Sequence, residues 1–145
     1  MEPSGTAYFA GFALQPASRR LTRRGREVHL TPKEFDLLAL LAAHPGCALS
    51  KEEIHHAVWR DAAVEEGSLT QTVSLLRKAL AAYPGGAGCV ETVARYGYRL
   101  AVPVRWAPAA LPWVAVRFRR ITALAAAALL LLLALWSYLF LYARS

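Results

Sequence analysis

Cysteine is scarce in this sequence: Cys47 and Cys89 are its only two, far apart and without CxxC or Cys/His ligand spacing. That excludes a disulfide scaffold and leaves two ordinary reduced thiols. The first ten residues lack a basic start followed by an apolar core, so no cleavable signal peptide is expected. There is no internal repeat, P-loop, GxGxxG or Ser/His/Asp set, and an enzyme reading has no support. His29, His44, His55 and His56 show no spacing that would converge on a metal, and adjacent His55 and His56 point to different sides of a helix. No cofactor or metal is expected.

Acidic residues are missing from position 105 onward, and no charge of either sign occurs between Ile121 and Ala143. The 145 residues are 56% hydrophobic, above the ~45–50% of an ordinary soluble chain. This uncharged run accounts for the excess. Through Val104 twelve basic residues meet ten acids; the rest of the net +7 comes from Arg105, Arg117, Arg119, Arg120 and Arg144. The basic excess thus lies beside the apolar run and argues for a membrane; an argument for nucleic acid must rest on local clusters.

Residues 121–142 would form about 33 Å of helix at ~1.5 Å per residue, matching a hydrocarbon core of ~30 Å. Trp136, Tyr138 and Tyr142 lie toward one end and Trp113 precedes the other, as interfacial aromatics do. Three arginines before the run against Arg144 after it put the N-terminal side in the cytoplasm. The expected organisation is a folded domain over 1–104, a Pro/Arg-containing juxtamembrane linker over 105–120, one transmembrane helix over 121–142 and a short extracytoplasmic tail over 143–145. The localisation is then the cytoplasmic (inner) membrane, single-pass, with lipid bilayer as a partner. Ala123, Ala126, Ala127 and Ala134 offer a small-residue face to a partner helix.

Within the first part, residues 8–14 are apolar and aromatic and read as a strand ending at Pro16-Ala17-Ser18. Residues 19–22 and 26–30 flank Arg23-Arg24-Gly25, a hairpin signal. Three short strands suggest a small antiparallel sheet. Thr31-Pro32-Lys33-Glu34 supplies an N-cap, a proline in the first turn and a capping-box glutamate, and His44-Pro45-Gly46 ends that helix. Ser50-Lys51-Glu52-Glu53 opens a second helix running to Trp59. Glu65 and Glu66 read as acids at the start of a third helix. In that helix Leu69, Val73, Leu76, Leu80 and Tyr83 make one buried stripe, and Thr70, Gln71, Ser74, Arg77 and Lys78 occupy the opposite face. Pro84-Gly85-Gly86 stops it. Residues 89–93 and 98–102 then read as strands around Ala94-Arg95-Tyr96-Gly97. A polar, partly basic helix face beside a hairpin tipped with arginine suits the major and minor grooves of DNA.

The segments LTPKEFDLLALLAAHPG (30–46), LSKEEIHHAVW (49–59), VEEGSLTQTVSLLRKAL (64–80) and ETVARYGYRL (91–100), in this order, resemble the OmpR/PhoB-type winged helix-turn-helix family. The resemblance covers about residues 8–104. It implies an α+β fold with an N-terminal antiparallel sheet, three helices and a C-terminal hairpin wing. It implies a recognition helix over 68–82, with Thr70, Gln71 and Ser74 toward bases and Arg77 and Lys78 toward bases or phosphates. It carries Lys51 and Trp59 over as phosphate contacts and Thr92, Arg95 and Tyr98 as the wing. The recognition helix has fewer arginines than those of soluble response regulators, and no receiver domain is expected in the seven residues before Tyr8. The order of domain and apolar run is similar to the membrane-anchored ToxR/CadC-like regulators, without their periplasmic sensor.

The expected function is a membrane-tethered, sequence-specific transcription regulator of bacterial type. Its partner is double-stranded DNA, on which the family pairs winged domains as homodimers at repeated half-sites. Two alternatives stand beside it: a winged-helix interaction module docking an RNA polymerase subunit or a membrane partner, and a truncated regulator that has lost its sensor domain.

Overall fold

A computed structural model describes residues 5–60 and 67–108, with Leu133 and Trp136, both helical and exposed. The chain divides into two units, residues 1–109 and 110–145. The expected transmembrane helix over 121–142 (those two residues apart), the linker beyond 108, the tail over 143–145, and Glu65 and Glu66 lie outside the described residues. Among the described residues no helix is long and apolar enough to cross a membrane.

The first unit opens with four strands, β1 (Gly5–Phe9), β2 (Phe12–Gln15), β3 (Arg20–Arg23) and β4 (Arg26–Val28). Helices α1 (Pro32–Ala43), α2 (Lys51–Trp59) and α3 (Gly67–Ala81) follow, with the two-residue strand β5 (Leu49–Ser50) before α2. The hairpin β6 (Val90–Val93) and β7 (Gly97–Leu100) comes next, and β8 (Arg105–Pro108) ends the described unit. Two antiparallel sheets result, in the orders β4-β3-β2-β1-β8 and β5-β7-β6.

Three features depart from the sequence reading. The single strand expected over 8–14 is two strands, because Ala10 and Gly11 both take left-handed φ, +44° and +81°, and reverse the chain between Phe9 and Phe12. That geometry matches the twist of a tight hairpin. Residues 105–108, expected as the start of a linker, form a strand: Arg105–Pro108 pairs with β1 from Tyr8 to Gly5 at the edge of the sheet. Strand β5 has no counterpart in the sequence reading and pairs with β7.

The helices start where their local chemistry dictates. Thr31 caps α1, with Glu34 Oε2 accepting from the Thr31 N–H at 3.0 Å, and Ser50 caps α2 in the same reciprocal way through Glu53. The Ser50 hydrogen bonds, backbone first, hold the Glu53 carboxyl below the ordinary carboxylate range. Leu37, Leu38 and Leu41 of α1, Ile54 and Val58 of α2, and Leu69, Val73, Leu76 and Leu80 of α3 meet in one core. Alternating inward residues of the first sheet, Ala7, Phe9, Phe12, Leu14 and Leu21, join it.

Leu76 is fully buried at the middle of the α3 stripe. Leu76→Ala is expected to destabilise the first unit by about 2–5 kcal/mol, lowering its thermal midpoint by at least about 8 °C. A melt of the full chain in detergent checks this; a midpoint within a degree of wild type would refute the stripe.

Candidate nucleic-acid interface

Helix α3 turns its apolar stripe into the core, so the opposite face is fixed toward solvent. Thr70, Gln71, Ser74 and Lys78 are exposed there, and none makes a side-chain hydrogen bond or ion pair among the described residues. Leu75 shares this face and is 44% exposed. It falls outside the 69–73–76–80 step pattern, a signal the sequence reading passed over.

Arg77 stands apart from its neighbours. Its Nε donates to the Val90 carbonyl at 3.0 Å, its Nη2 donates to Thr92 Oγ1 at 2.7 Å, and its guanidinium lies 5.8 Å from the centroid of the Tyr98 ring. Arg77, expected toward bases or phosphates, has its guanidinium spanning from α3 to both strands of the β6–β7 hairpin. Position 77 borders the buried stripe, which brings its side chain alongside the hairpin. Thr92 remains exposed but shares its hydroxyl with Arg77.

The wing turn is held from a second side. Strand β5 pairs Leu49 with Tyr98 and Ser50 with Gly97, and the Lys51 N–H donates to the Tyr96 carbonyl at 3.1 Å. A Cβ on Gly97 would run into the Leu49 carbonyl, so only glycine permits this approach. The N-terminus of α2, carrying the exposed Lys51, is thereby fastened to the turn that displays Arg95. Arg95 is exposed, with φ of +61°. Glu91 accepts from Arg99 Nε at 2.7 Å across the hairpin and raises the Arg99 pKa. Arg95 is thus the cation of the hairpin that has no acid beside it among the described residues.

Trp59 and Tyr98 take a different position from the other expected contacts. They are 7% and 6% exposed. The Trp59 ring stacks on His55 with centroids 5.3 Å apart, and Lys33 Nζ lies 5.6 Å from its centroid while donating to the Val58 carbonyl at 2.6 Å. Of the two rings, Tyr98 lies under the Arg77 guanidinium, and Trp59 packs between His55 and Lys33. The structure therefore brings Lys51, Arg77, Thr92, Arg95 and Tyr98 into one connected assembly, with Thr70, Gln71, Ser74 and Lys78 on the helix that Arg77 anchors. Among the described residues no cluster of three or more His, Cys, Asp or Glu could hold a metal.

Removing the Arg77 guanidinium leaves the Val90 carbonyl and Thr92 hydroxyl without their donor. Arg77→Ala is expected to destabilise by about 1–2 kcal/mol and to speed amide exchange in β6 and β7 while α1 stays protected. Arg77→Lys should rescue little, since an ammonium cannot reproduce the planar fork. Hydrogen exchange by mass spectrometry reads both variants; unchanged exchange in the wing would refute the brace.

A family model described as transcriptional regulatory protein, C terminal, matches residues 25–100. The transcriptional activator CadC of Escherichia coli is 37% identical over 92 residues, 63% of this chain and 18% of that protein. The phosphate regulon transcriptional regulatory protein PhoB of Rhizobium meliloti is 38% identical over 88 residues, 60% of this chain and 38% of that protein. The chain thus spans less than half the length of these curated relatives. Among solved structures, the DNA-binding domain of Escherichia coli CadC superposes with a TM-score of 0.65 at 32% identity, covering 72% of this chain and 99% of that one. The Klebsiella pneumoniae RstA DNA-binding domain in complex with the RstA box gives 0.57 at 26% identity, covering 66% and 96%. The two antiparallel sheets and three helices are accordingly a winged-helix fold. With more than half of its residues under the family model, the chain belongs to the family of C-terminal domains of transcriptional regulatory proteins.

Proposed function

We propose that this chain is a sequence-specific, DNA-binding transcription regulator tethered to a membrane. Helix α3 enters the major groove with Thr70, Gln71, Ser74 and Lys78 toward base edges, where amide, hydroxyl and ammonium groups match the exposed donors and acceptors. Arg95 enters the minor groove, and Lys51 meets a phosphate at the start of α2. Tyr98 and Arg77 hold the wing against α3, Thr92 taking the Arg77 hydrogen bond on the wing, and Trp59 packs at the far end of α2. The observation that carries the reading is the polar face of α3, unpartnered among the described residues and fastened through Arg77 to a wing that displays Arg95. The solved CadC and RstA domains are described as DNA-binding, RstA's in complex with its box, which supports the same use of the fold here.

Binding of the full chain in detergent to mixed-sequence duplex DNA, titrated against salt, tests this. Lys51 at a phosphate, with Lys78 and Arg95 in the grooves, brings three cations against the charged duplex and predicts a slope of log K against log salt of roughly −3. Arg95→Gly removes one cation at a turn whose φ already suits glycine, and should reduce the slope by about one. A flat salt dependence would instead favour a module that docks a polymerase subunit or membrane partner.

The tethering rests on the sequence: an uncharged run over 121–142 preceded by Arg117, Arg119 and Arg120. The DNA-binding unit must share a compartment with DNA, and the arginine bias independently gives the same orientation. With alkaline phosphatase fused after Ser145 the enzyme should be active, and with a fluorescent protein at the same point the cells should stay dark. The reverse pattern, or recovery of the intact chain in the soluble fraction, overturns the tether and leaves the winged helix untouched.

A further inference from the structure

Four large apolar residues of α3, Leu69, Val73, Leu76 and Leu80, are buried, and a fifth, Leu75, is not. Among the described residues 5–108, the large hydrophobic side chains left exposed are Tyr8, Leu75 and Tyr96, and Leu75 alone is aliphatic. It lies four residues beyond Gln71 and three before Lys78, so all three share the outward face of one helix. Ser74 lies beside them. The face therefore joins an amide, a hydroxyl and an ammonium to an apolar group left 44% exposed.

The major groove offers one apolar feature to such a side chain, the C5-methyl of thymine. We infer that Leu75 is a base-reading residue that packs against a thymine methyl, so that the preferred site carries an A·T pair beneath the middle of α3. The inference rests on the DNA-binding reading and adds to it the class of sequence selected. Two effects discriminate in the same direction. A thymine methyl and the leucine side chain leave water together, which is favourable in proportion to the apolar area removed. A cytosine at that position presents its N4 amine instead, and a leucine held over that donor displaces its water and supplies no acceptor. Gln71, one turn earlier, presents the amide that pairs with adenine N6 and N7, so the two residues together favour adjacent A·T pairs. This gives a base-specific contact to a helix whose arginine is committed to the wing.

The experiment takes the full chain in detergent and selects bound duplexes from a randomised pool, then replaces each thymidine of the selected motif by deoxyuridine, one at a time. The swap deletes a single methyl and leaves the hydrogen-bonding edge intact. At one position it should weaken wild-type binding about fourfold, the scale of one buried methyl group. Leu75→Ala, truncated at an exposed position, should bind the thymidine and deoxyuridine duplexes equally. A selected motif in which no deoxyuridine swap matters, or one in which Leu75→Ala retains the wild-type loss, overturns the role of Leu75 while DNA binding stands. A pool that yields no motif overturns sequence-specific binding itself, and the Leu75 contact with it.

Discussion

The Arg77 guanidinium fixes how the outward face of α3 stands to the β6–β7 hairpin. A two-stranded hairpin such as β6–β7 is marginal by itself, and its direction must be imposed by what it touches. Arg77 imposes it from α3 through the Val90 carbonyl and Thr92 hydroxyl. Strand β5 imposes it from the α2 side through Gly97 and Tyr98. Held between these, the hairpin is pre-oriented against α3, and pre-orientation of this kind lowers the ordering cost of any contact made by both.

The same construction recurs elsewhere in the unit. Arg19 lies over Phe35, donates to the Pro32 carbonyl and pairs with Asp36. Arg23 lies over Phe12 and donates to the Ala10 carbonyl, and Lys33 lies over Trp59 and donates to the Val58 carbonyl. In each case a long side chain covers an aromatic ring and delivers its charge to a backbone oxygen. Arg19 and Lys33 thereby join secondary-structure elements that share no strand ladder. Much of the positive charge in residues 5–108 is thus internal fastening, which is why counting cations overstates what remains for a polyanion.

Features that depend on a few neighbouring residues were legible in the sequence. Both capping boxes, the glycine-bearing β3–β4 turn, the α3 stripe and the wing hairpin announce themselves within one or two turns of chain. The Ala10–Gly11 reversal was hidden because the residues around it are uniformly apolar, and only the backbone φ values separate two strands from one. Strands β5 and β8 are too short to show a period; each is defined by a partner remote in sequence. The outward residues of α3 followed from helical geometry. The burial of Trp59 and Tyr98 and the commitment of Arg77 did not, because a helix or strand pattern gives a direction and not the neighbour waiting there.

Strand β8 has a consequence for the order in which the unit assembles. It pairs Pro108 with Gly5, so one ladder joins the two ends of the described unit. Closing a loop of roughly a hundred residues costs about 3 kcal/mol more in chain entropy than closing the four-residue reversal between β1 and β2. Until the helices have collapsed and shortened that loop, β1 gains nothing by waiting for its second neighbour. The hairpins therefore form early and the β1–β8 edge zips last, giving the unit a folding route whose final step is carried by the residues nearest its C-terminal boundary.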